Sequence, residues 1–346
     1  MKVAQLVGAR EMAETSMPDP IPERGQVVVR PEAVAICGSD LAAFQGHHPR
    51  MVPPLVLGHE FSGTVVGLGP GVTEDVMGRS VAVDQLVSCG ECRACLAGRT
   101  NICVSYQVVG CRPDLPGAFA DLVVVDAKKV WQLPDDCSTI TGALVQPLSI
   151  SHHAVVDRAK ATAGDDLAII GAGPVGLGAL MVSLALGARA TVVDLDPHRL
   201  ELARQIGAHQ TFTPDEAADE VSEPNVVLEC VGGRQSSTLT LAASWVRPGG
   251  RIVIVGNFAT GVPGLDAATM KVKEVEVLGS QGYADSYGQV VEMIRGGAID
   301  PLPMISHDLP LDDPSAGLWL LDNPEIEKTK VVMTRNPTAA SGRLLD

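Results

Sequence analysis

The middle of the chain alternates short apolar runs with helix-like segments. The apolar runs have strand length and are rich in Val, Ile and Leu; they lie at 166–170, 190–193, 226–230, 251–256 and 275–279. A small-residue segment that ends near Gly187 and the segments 197–206 and 235–245 have the length and composition of helices. Strands that alternate with helices in this order predict an α/β fold, with a doubly wound parallel sheet and helices on both faces.

The first 145 residues follow a different pattern. Runs such as 26–30 and 80–83 indicate β-strands, and Pro and Gly interrupt them before long helical patterns develop. This contrast predicts a domain boundary near residues 147–160. The length of 346 residues agrees with two domains, each large enough to bury a core. We expect the last dozen residues, from Arg335, to form a frayed tail.

The composition narrows the class of protein. Hydrophobic residues make up 46% of the chain and charged residues 19%, which favours a globular fold over disorder. The net charge of −15 repels a phosphate backbone and no basic patch offsets it, so we expect no nucleic-acid partner. The uncharged stretch 167–188 is interrupted by glycines and a proline, so we expect no membrane partner. The amino terminus lacks the apolar core of a secretory signal, which predicts a cytoplasmic protein.

A glycine-rich turn follows the predicted strand 166–170 and precedes a helix; it reads Gly171, Ala172, Gly173, Pro174, Val175, Gly176. This is the G-x-G-x-x-G pattern in the context of strand, turn and helix that dinucleotide binding requires. Gly171 permits the turn, Gly173 lets the backbone approach a pyrophosphate, and Gly176 lets the helix pack on the strand. The alternative is an ordinary flexible loop.

Asp194 ends the next predicted strand, eighteen residues after Gly176. A carboxylate at this point accepts hydrogen bonds from the adenosine ribose and repels a 2′-phosphate, so the sequence predicts NAD rather than NADP. Arg199 could soften that preference, but its position better suits the adenine side of the site.

Four cysteines lie within fifteen residues, in the pattern C-x2-C-x2-C-x7-C; they are Cys89, Cys92, Cys95 and Cys103. In a reducing compartment such spacing indicates a metal site rather than disulfides. Four thiolates can surround one zinc ion tetrahedrally, with Gly90 and Gly98 turning the backbone. A closed site of this kind predicts a structural zinc without chemistry, and the alternative is four free thiols in a loop.

A second group of candidate ligands lies upstream, where Cys37 precedes His59 and Glu60 by about twenty residues. A thiolate, an imidazole and a carboxylate form the open ligand set of a catalytic zinc, which leaves one position for water or substrate. Taken alone this signal is weak, because a single Cys is usually a small buried hydrophobe and a His-Glu pair is usually polar surface.

The chain resembles the zinc-dependent medium-chain dehydrogenases, in the branch of polyol (sorbitol), butanediol and threonine dehydrogenases. The motifs that carry the resemblance span nearly the whole chain; they are CGSD at 37–40, GHEFSG at 58–63, the four-cysteine lobe at 89–103, QPLS at 146–149, GAGPVG at 171–176 and the segment from Gly282. The resemblance implies a GroES-like catalytic domain at 1–149, a Rossmann NAD-binding domain at 150–281, and a return to the catalytic domain with the tail at 282–346. It also implies a homodimer or a homotetramer.

The resemblance also implies the chemistry of the group formed by Cys37, His59 and Glu60. Zinc held by Cys37, His59 and Glu60 would act as a Lewis acid toward an alcohol while a hydride passes to the nicotinamide. Ser39 would relay the alcohol proton, and Asp40 would orient His59 through its second ring nitrogen. The alternative for Ser39 and Asp40 is a local turn cap.

The chain departs from the family pattern at two positions. Gln146 stands where the polyol branch usually has Glu, so the fourth metal position would be mostly water; alternatively Gln146 only hydrogen-bonds the backbone near Pro147. Ala42 stands where many relatives have the histidine that ends the proton relay. Possible substitutes, each more often a surface or packing residue, are His47, His48, His152 and His153.

Three functions are consistent with these residues. The first is an NAD-dependent oxidoreductase with two zinc ions per chain that interconverts a small-molecule secondary alcohol or polyol and its ketone. The second acts on an amino alcohol, as threonine dehydrogenases do, or on a sugar phosphate, although no basic cluster for a phosphate is evident. The third is an NAD-binding redox sensor without catalysis, which the departures at Gln146 and Ala42 would allow.

Overall fold

The computed structural model describes residues 1–235, 237–259 and 265–335. The chain forms two compact units. The first comprises Met1–Gln146 and the chain from Ile305 onward, and the second comprises Pro147–Met304. The tail expected after Arg335 lies outside the described residues.

The first unit is built mainly of β-strands. Its elements up to residue 146 are β1 (Lys2–Gly8), β2 (Glu11–Ser16), β3 (Gln26–Ala35), α1 (Gly38–Phe44), β4 (Leu55–Val56), β5 (Glu60–Leu68), β6 (Ser80–Val83), β7 (Leu86–Val87), α2 (Arg93–Leu96), β8 (Gln107–Val108), β9 (Val123–Asp126), β10 (Val130–Gln132) and α3 (Thr139–Ala143). Helix α4 (Val145–His152) continues as a π-helix at His153–Arg158.

The second unit contains the predicted parallel sheet. After α4 its elements are β11 (Asp166–Ile170), α5 (Pro174–Ala185), β12 (Arg189–Val193), α6 (Pro197–Ile206), β13 (Gln210–Phe212), α7 (Pro214–Glu220), β14 (Val226–Glu229), α8 (Ser237–Trp245), β15 (Arg251–Ile254), α9 (Ala267–Lys273), β16 (Glu276–Gly279) and α10 (Ser286–Arg295). The strand order is β13-β12-β11-β14-β15-β16, and every pairing is parallel. The order reverses between β11 and β14, which creates the crevice where open sheets of this class bind ligands.

The chain then returns to the first unit with β17 (Ile305–Pro310), α11 (Pro314–Asp322) and β18 (Lys330–Thr334). Strand β18 pairs with β3 in the sheet β10-β6-β5-β3-β18-β17, while β9 pairs with the other part of β3. The apolar faces of these strands enclose a core that includes Phe44, Phe61 and Phe119. The sheet therefore places β18 beside β3, which lies near the other end of the sequence.

The return occurs later than residue 282, where the sequence placed it. Helix α10 remains in the second unit, and its residues Tyr287, Val290 and Val291 are buried. The Ser286 hydroxyl also donates to Asp157 (3.2 Å), which lies in the same unit. An amphipathic helix packs its apolar face against a core. The sequence motifs do not show which of the two units supplies that core for α10.

Candidate metal centre and cofactor site

Cys37 stands at the amino end of α1, directly after the strand β3. Its backbone is extended, and its N–H donates to Asp40 Oδ2 at 2.9 Å. Asp40 is fully buried, and its other oxygen lies 3.2 Å from Nδ1 of His59. Asp40 therefore holds the backbone of Cys37 and the imidazole of His59 at the same time. Because it contacts Nδ1 of His59, it leaves Nε2 for a metal.

The pairing of β3 with β5 brings the three candidate ligands together. Ala35, at the end of β3, lies opposite Glu60 at the start of β5. Ligand atoms of Cys37, His59 and Glu60 all lie within 4.8 Å of one another. This separation is suitable for three ligands of one ion.

Glu60 and Lys330 form a buried ion pair in this centre. Lys330 Nζ also donates to the Ile36 carbonyl at 3.0 Å, so its position is fixed by the residue next to Cys37. Sequence reasoning missed Lys330, which lies far from the other residues in the chain. The pairing of β18 with β3, which places it here, leaves no local signal in the sequence.

The electrostatics of the centre favour an ionised Asp40. Burial opposes ionisation, but the charge of His59 and the hydrogen bonds from His59 and Cys37 outweigh it, and they lower the pKa of Asp40. Burial also disfavours a charged His59, yet the nearby acidic groups, led by Asp40, raise its pKa well above the usual value. The acidic groups around His59 thus stabilise positive charge at its ring, as they would stabilise a cation bound there.

The residues fit zinc by their chemistry. A thiol, an imidazole with its second nitrogen held by a carboxylate, and a carboxylate form a three-residue set that leaves one position open. Gln146 is also buried, and its Oε1 has no hydrogen-bond partner among the described residues. This oxygen thus makes no hydrogen bond to the backbone near Pro147, and whether Gln146 faces the metal stays a prediction. Ser39 lies half-buried in the first turn of α1, next to Asp40.

Cys111 is a further thiol beside the centre that the sequence did not single out. A β-carbon on Gly110 would lie 3.0 Å from the carbonyl oxygen of Gly58, so the backbone before Cys111 touches the backbone before His59. Burial raises the pKa of the Cys111 thiol to about 11, against the opposing charge of His59. This thiol is therefore protonated near neutral pH.

The four cysteines of the second cluster converge between β7 and β8; their ligand atoms all lie within 4.8 Å of one another. Neighbouring sulfurs are 3.4 Å apart for Cys103 and Cys89, and 3.5 Å apart for Cys92 and Cys95. Gly90 and Gly98 have left-handed backbone conformations, with φ of +76° and +73°, as a tight ligand loop requires.

Ionisation of Cys92 and ionisation of Cys95 oppose each other in this cluster. Backbone hydrogen bonds at Cys95 and Val104 lower the pKa of Cys92 to about 6, whereas burial and the neighbouring thiols raise that of Cys95 to about 11. Such opposite shifts are expected when like charges share a small volume. The chemistry of the cluster fits a closed four-thiolate zinc site.

The glycine turn has the geometry that the sequence predicts. Gly171 has φ of +100°, and a β-carbon there would lie 2.7 Å from Val231. A β-carbon on Gly176 would lie 1.8 Å from the Gly171 carbonyl oxygen, so only glycine allows α5 to approach this turn. A β-carbon on Gly173 would meet nothing within 4 Å, which leaves open space where a pyrophosphate could approach. Pro174 and Val175 begin α5.

Asp194 follows β12 and is held by main-chain groups. Its Oδ2 accepts from the Ala172 N–H (2.6 Å) within the glycine turn, and its Oδ1 accepts from the Asp196 N–H (2.9 Å). The acid and the turn thus form one local structure. Arg199 lies one helical turn further on and pairs with Asp196 at 3.5 Å.

Comparison with known proteins decides the family. Residues 23–135 match the alcohol dehydrogenase GroES-like domain, and residues 174–296 match the zinc-binding dehydrogenase domain. The chain is 32% identical to sorbitol dehydrogenase of Bacillus subtilis, over 90% of this chain and 91% of that protein. The chain belongs to the zinc-dependent medium-chain dehydrogenases.

Solved dehydrogenase structures are similar to nearly the whole chain. An alcohol dehydrogenase (rspB) from Escherichia coli CFT073, solved with NADH, superposes with a TM-score of 0.89 at 27% identity, over 96% of this chain and 99% of that one. A zinc-binding dehydrogenase from Sinorhizobium meliloti 1021, bound to NADP, has a TM-score of 0.88 at 29% identity, over 96% and 98%. The GroES-like and Rossmann fold predicted from the sequence is thereby confirmed.

The family relatives differ in substrate. Their names include dehydrogenases of L-threonine, L-galactonate and galactitol 1-phosphate. Membership therefore establishes a zinc-type alcohol or polyol dehydrogenase fold and leaves the substrate open. Within the described part of this dehydrogenase, no helix combines the length and apolar character needed to span a membrane.

Proposed function

We propose that this dehydrogenase interconverts a secondary alcohol or polyol and its ketone by hydride transfer with NAD(H). The observation that carries the proposal is the convergence of Cys37, His59 and Glu60, with Asp40 buried behind them. A structural zinc in the four-cysteine lobe completes the proposed metal content of two ions per chain. This supports an enzyme over the non-catalytic redox sensor, because the open ligand set is intact.

The side chains of the centre have distinct tasks. When bound, zinc supplies Lewis-acid chemistry at the alcohol oxygen, and NAD supplies the ring that accepts the hydride. Asp40 holds the proton of His59 on Nδ1, so Nε2 presents its lone pair to the metal. Lys330 balances the charge of Glu60 and restricts the direction of its carboxylate. Ser39, in the first turn of α1, would accept the proton that leaves the alcohol while its own hydroxyl proton passes on toward the nicotinamide ribose of bound NAD.

We infer NAD rather than NADP from Asp194. The carboxylate is fixed by two main-chain N–H groups beside the glycine turn, where a 2′-phosphate would meet its negative charge. Arg199 is engaged by Asp196, so it does not offset this repulsion fully. One similar structure contains NADH and another contains NADP, so the relatives do not decide the coenzyme and the inference rests on Asp194.

The coenzyme preference has a direct test. Asp194→Ser removes the acceptor of the ribose hydroxyls and the charge repulsion, so it weakens NAD⁺ binding and raises the ratio of NADP⁺ to NAD⁺ in kcat/KM. Wild-type turnover that is already faster with NADP⁺ would show that Asp194 does not have this role.

The substrate class is tested with a panel that covers polyols, vicinal diols, β-hydroxy amino acids and sugar phosphates. NADH absorbance is followed for each compound with zinc-loaded protein. We expect NADH formation with a polyol or other secondary alcohol, and selective turnover of threonine or of a sugar phosphate would favour the alternative substrates. The cytoplasmic location and the homodimer or homotetramer stay predictions.

A further inference from the structure

Arg50 carries a positive charge close to the proposed catalytic centre. Its guanidinium lies over the ring of Tyr106, 5.6 Å from the ring centre, and donates to the Tyr106 hydroxyl at 3.1 Å. Among the described residues it makes no ion pair with a carboxylate. In a chain of net charge −15, an arginine that is fixed on an aromatic ring and left without an acid is available for an anionic ligand.

His48 stands beside Arg50 in a fixed orientation. Its Nδ1 accepts from the main-chain N–H groups of Met51 (3.0 Å) and Arg50 (3.3 Å). Because Nδ1 is occupied as an acceptor, the neutral ring carries its proton on Nε2 and presents it as a donor. Burial and the charge of Arg50 lower the pKa of His48, which keeps this neutral form. His48 is therefore a poor terminal proton acceptor in place of Ala42.

The segment that carries both residues is hydrogen-bonded to α1, the helix that begins after Cys37. The N–H groups of His47 and His48 donate to the carbonyl of Ala42 (2.8 and 3.1 Å), in the helix that begins after Cys37. The charges of Asp40 and His59 act on the titration of His48. The charge of Arg50 acts on Cys111, as do those of His59 and Cys37. The two donors thus share one electrostatic neighbourhood with the ligands.

We propose that the substrate carries a carboxylate, which the Arg50 guanidinium and the Nε2–H of His48 bind while the carbinol reacts at the metal centre. The class is that of hydroxy acids such as aldonic acids, and this inference rests on the proposed dehydrogenase function. The planar fork of Arg50 matches a carboxylate with two parallel hydrogen bonds. A phosphate dianion suits the site less, because the protein is strongly acidic overall.

The test uses compounds that share a carbon skeleton and differ at one end. The first series is galactitol, L-galactonate and galactitol 1-phosphate; the second is sorbitol, D-gluconate and sorbitol 1-phosphate. We expect a carboxylate to be preferred in kcat/KM. Arg50→Gln should lower kcat/KM for that acid by roughly 10- to 100-fold, mainly through KM, because the lost contact binds ground state and transition state alike.

Three variants separate charge, donor and background effects. Arg50→Lys keeps the charge and should retain part of the acid preference. His48→Asn keeps an acceptor for the turn and removes the Nε2–H, so it should raise KM for the acid by a larger factor than KM for galactitol. Arg79→Gln is the matched control, because Arg79 is an exposed arginine of the same unit whose Nε donates only to the Asp75 carbonyl; it should change nothing.

Binding is measured separately from turnover, by calorimetric titration of the acids and alcohols into the zinc-loaded enzyme with NADH, where no hydride can move. A neutral alcohol or a phosphate ester that is preferred, or an acid whose affinity Arg50→Gln leaves intact, overturns this inference. If galactitol is oxidised and Arg50→Gln has no effect on any substrate, the proposed dehydrogenase function stands and the inference of a carboxylate-bearing substrate fails. If an acid binds through Arg50 but no NADH forms, the inference of a carboxylate ligand stands and the proposed dehydrogenase function fails.

Discussion

Asp40 links the two ligand-bearing segments of the metal centre. Its two oxygens serve different partners, the N–H of Cys37 and Nδ1 of His59. In Asp40→Asn an amide must face one of these partners. If its NH₂ donates to Nδ1, the proton of His59 moves to Nε2, where the metal should bind. If it faces Cys37 instead, two N–H donors oppose each other.

Asp40→Asn therefore should reduce zinc affinity at this centre by roughly 10- to 100-fold. Zinc in the four-cysteine lobe should remain, since its ligands lie in a separate loop. Competition with a chelator, followed by elemental analysis, distinguishes the two ions. Equal loss of both, or of neither, would contradict the role given to Asp40.

Gln146 allows the charge of the centre to be changed at one residue. Zinc with one thiolate, one carboxylate and a neutral imidazole has a formal charge of about zero, and a further carboxylate brings it to about −1. Because added negative charge disfavours ionisation of the alcohol, Gln146→Glu should raise the apparent pKa that governs alcohol oxidation. The charge of Lys330 is the same in both proteins and cancels from the comparison.

The measurement for Gln146→Glu is the pH profile of kcat/KM in the oxidative direction, with NADH binding as the control. We expect the profile to move to higher pH while the NADH affinity stays nearly constant. An unmoved or lowered apparent pKa would mean that residue 146 does not tune the centre.

Local motifs predicted the residues of the centre that are near each other in sequence or have metal-ligand spacing. Cys37, Asp40 and His59 could be found in this way. Lys330 and Cys111 could not, because strand pairing and a backbone contact at Gly58 place them there. Such contacts between distant residues leave no spacing pattern in a single sequence.

At the scale of elements, the glycine turn with β11 and α5 makes the sharpest prediction. Gly176→Ala places a methyl group 1.8 Å from the Gly171 carbonyl oxygen, so it should destabilise the protein by about 1–3 kcal/mol. In Gly173→Ala the new β-carbon meets nothing within 4 Å in the free protein. The free energy of unfolding should fall by less than about 1 kcal/mol, the cost of an unfavourable residue at a helix N-cap.

The two glycine variants should separate when coenzyme is added. In Gly173→Ala the new methyl group lies where the pyrophosphate approaches, so NADH affinity should fall by roughly tenfold or more. Thermal unfolding with and without NADH measures both effects. Equal stability of the two free variants, or undiminished NADH affinity in Gly173→Ala, would be inconsistent with this structure of the turn.

The elements of the parallel sheet were predictable to different degrees. The strand 166–170 and the helix 197–206 agree with β11 and α6 at both ends, because turn and cap residues bound them. Strand β13 and helix α7 were not predicted, since three residues of strand and a short acidic helix carry little periodic signal. In the first unit the short helices α1 and α3 escaped prediction for the same reason.

At the scale of the whole molecule, length and the change of pattern predicted two domains, and the chain forms two units. The first boundary lies at 146/147, near the predicted one, because the β-rich pattern ends there. The second lies at 304/305, since α10 packs in the second unit. The motif resemblance predicts that the chain returns to the first unit. The residue at which it returns depends on how α10 packs, which the motifs do not show.

The central claim is that the two ligand clusters hold two zinc ions with different roles. The most direct measurement is elemental analysis of the purified protein and of Cys37→Ser and Cys92→Ser, with unfolding temperature and NADH formation recorded on the same samples. We predict two zinc ions in the wild type, one in a folded but inactive Cys37→Ser protein, and a lowered unfolding temperature in Cys92→Ser. A wild-type protein with a single zinc ion, held by the four-cysteine lobe, would contradict the account.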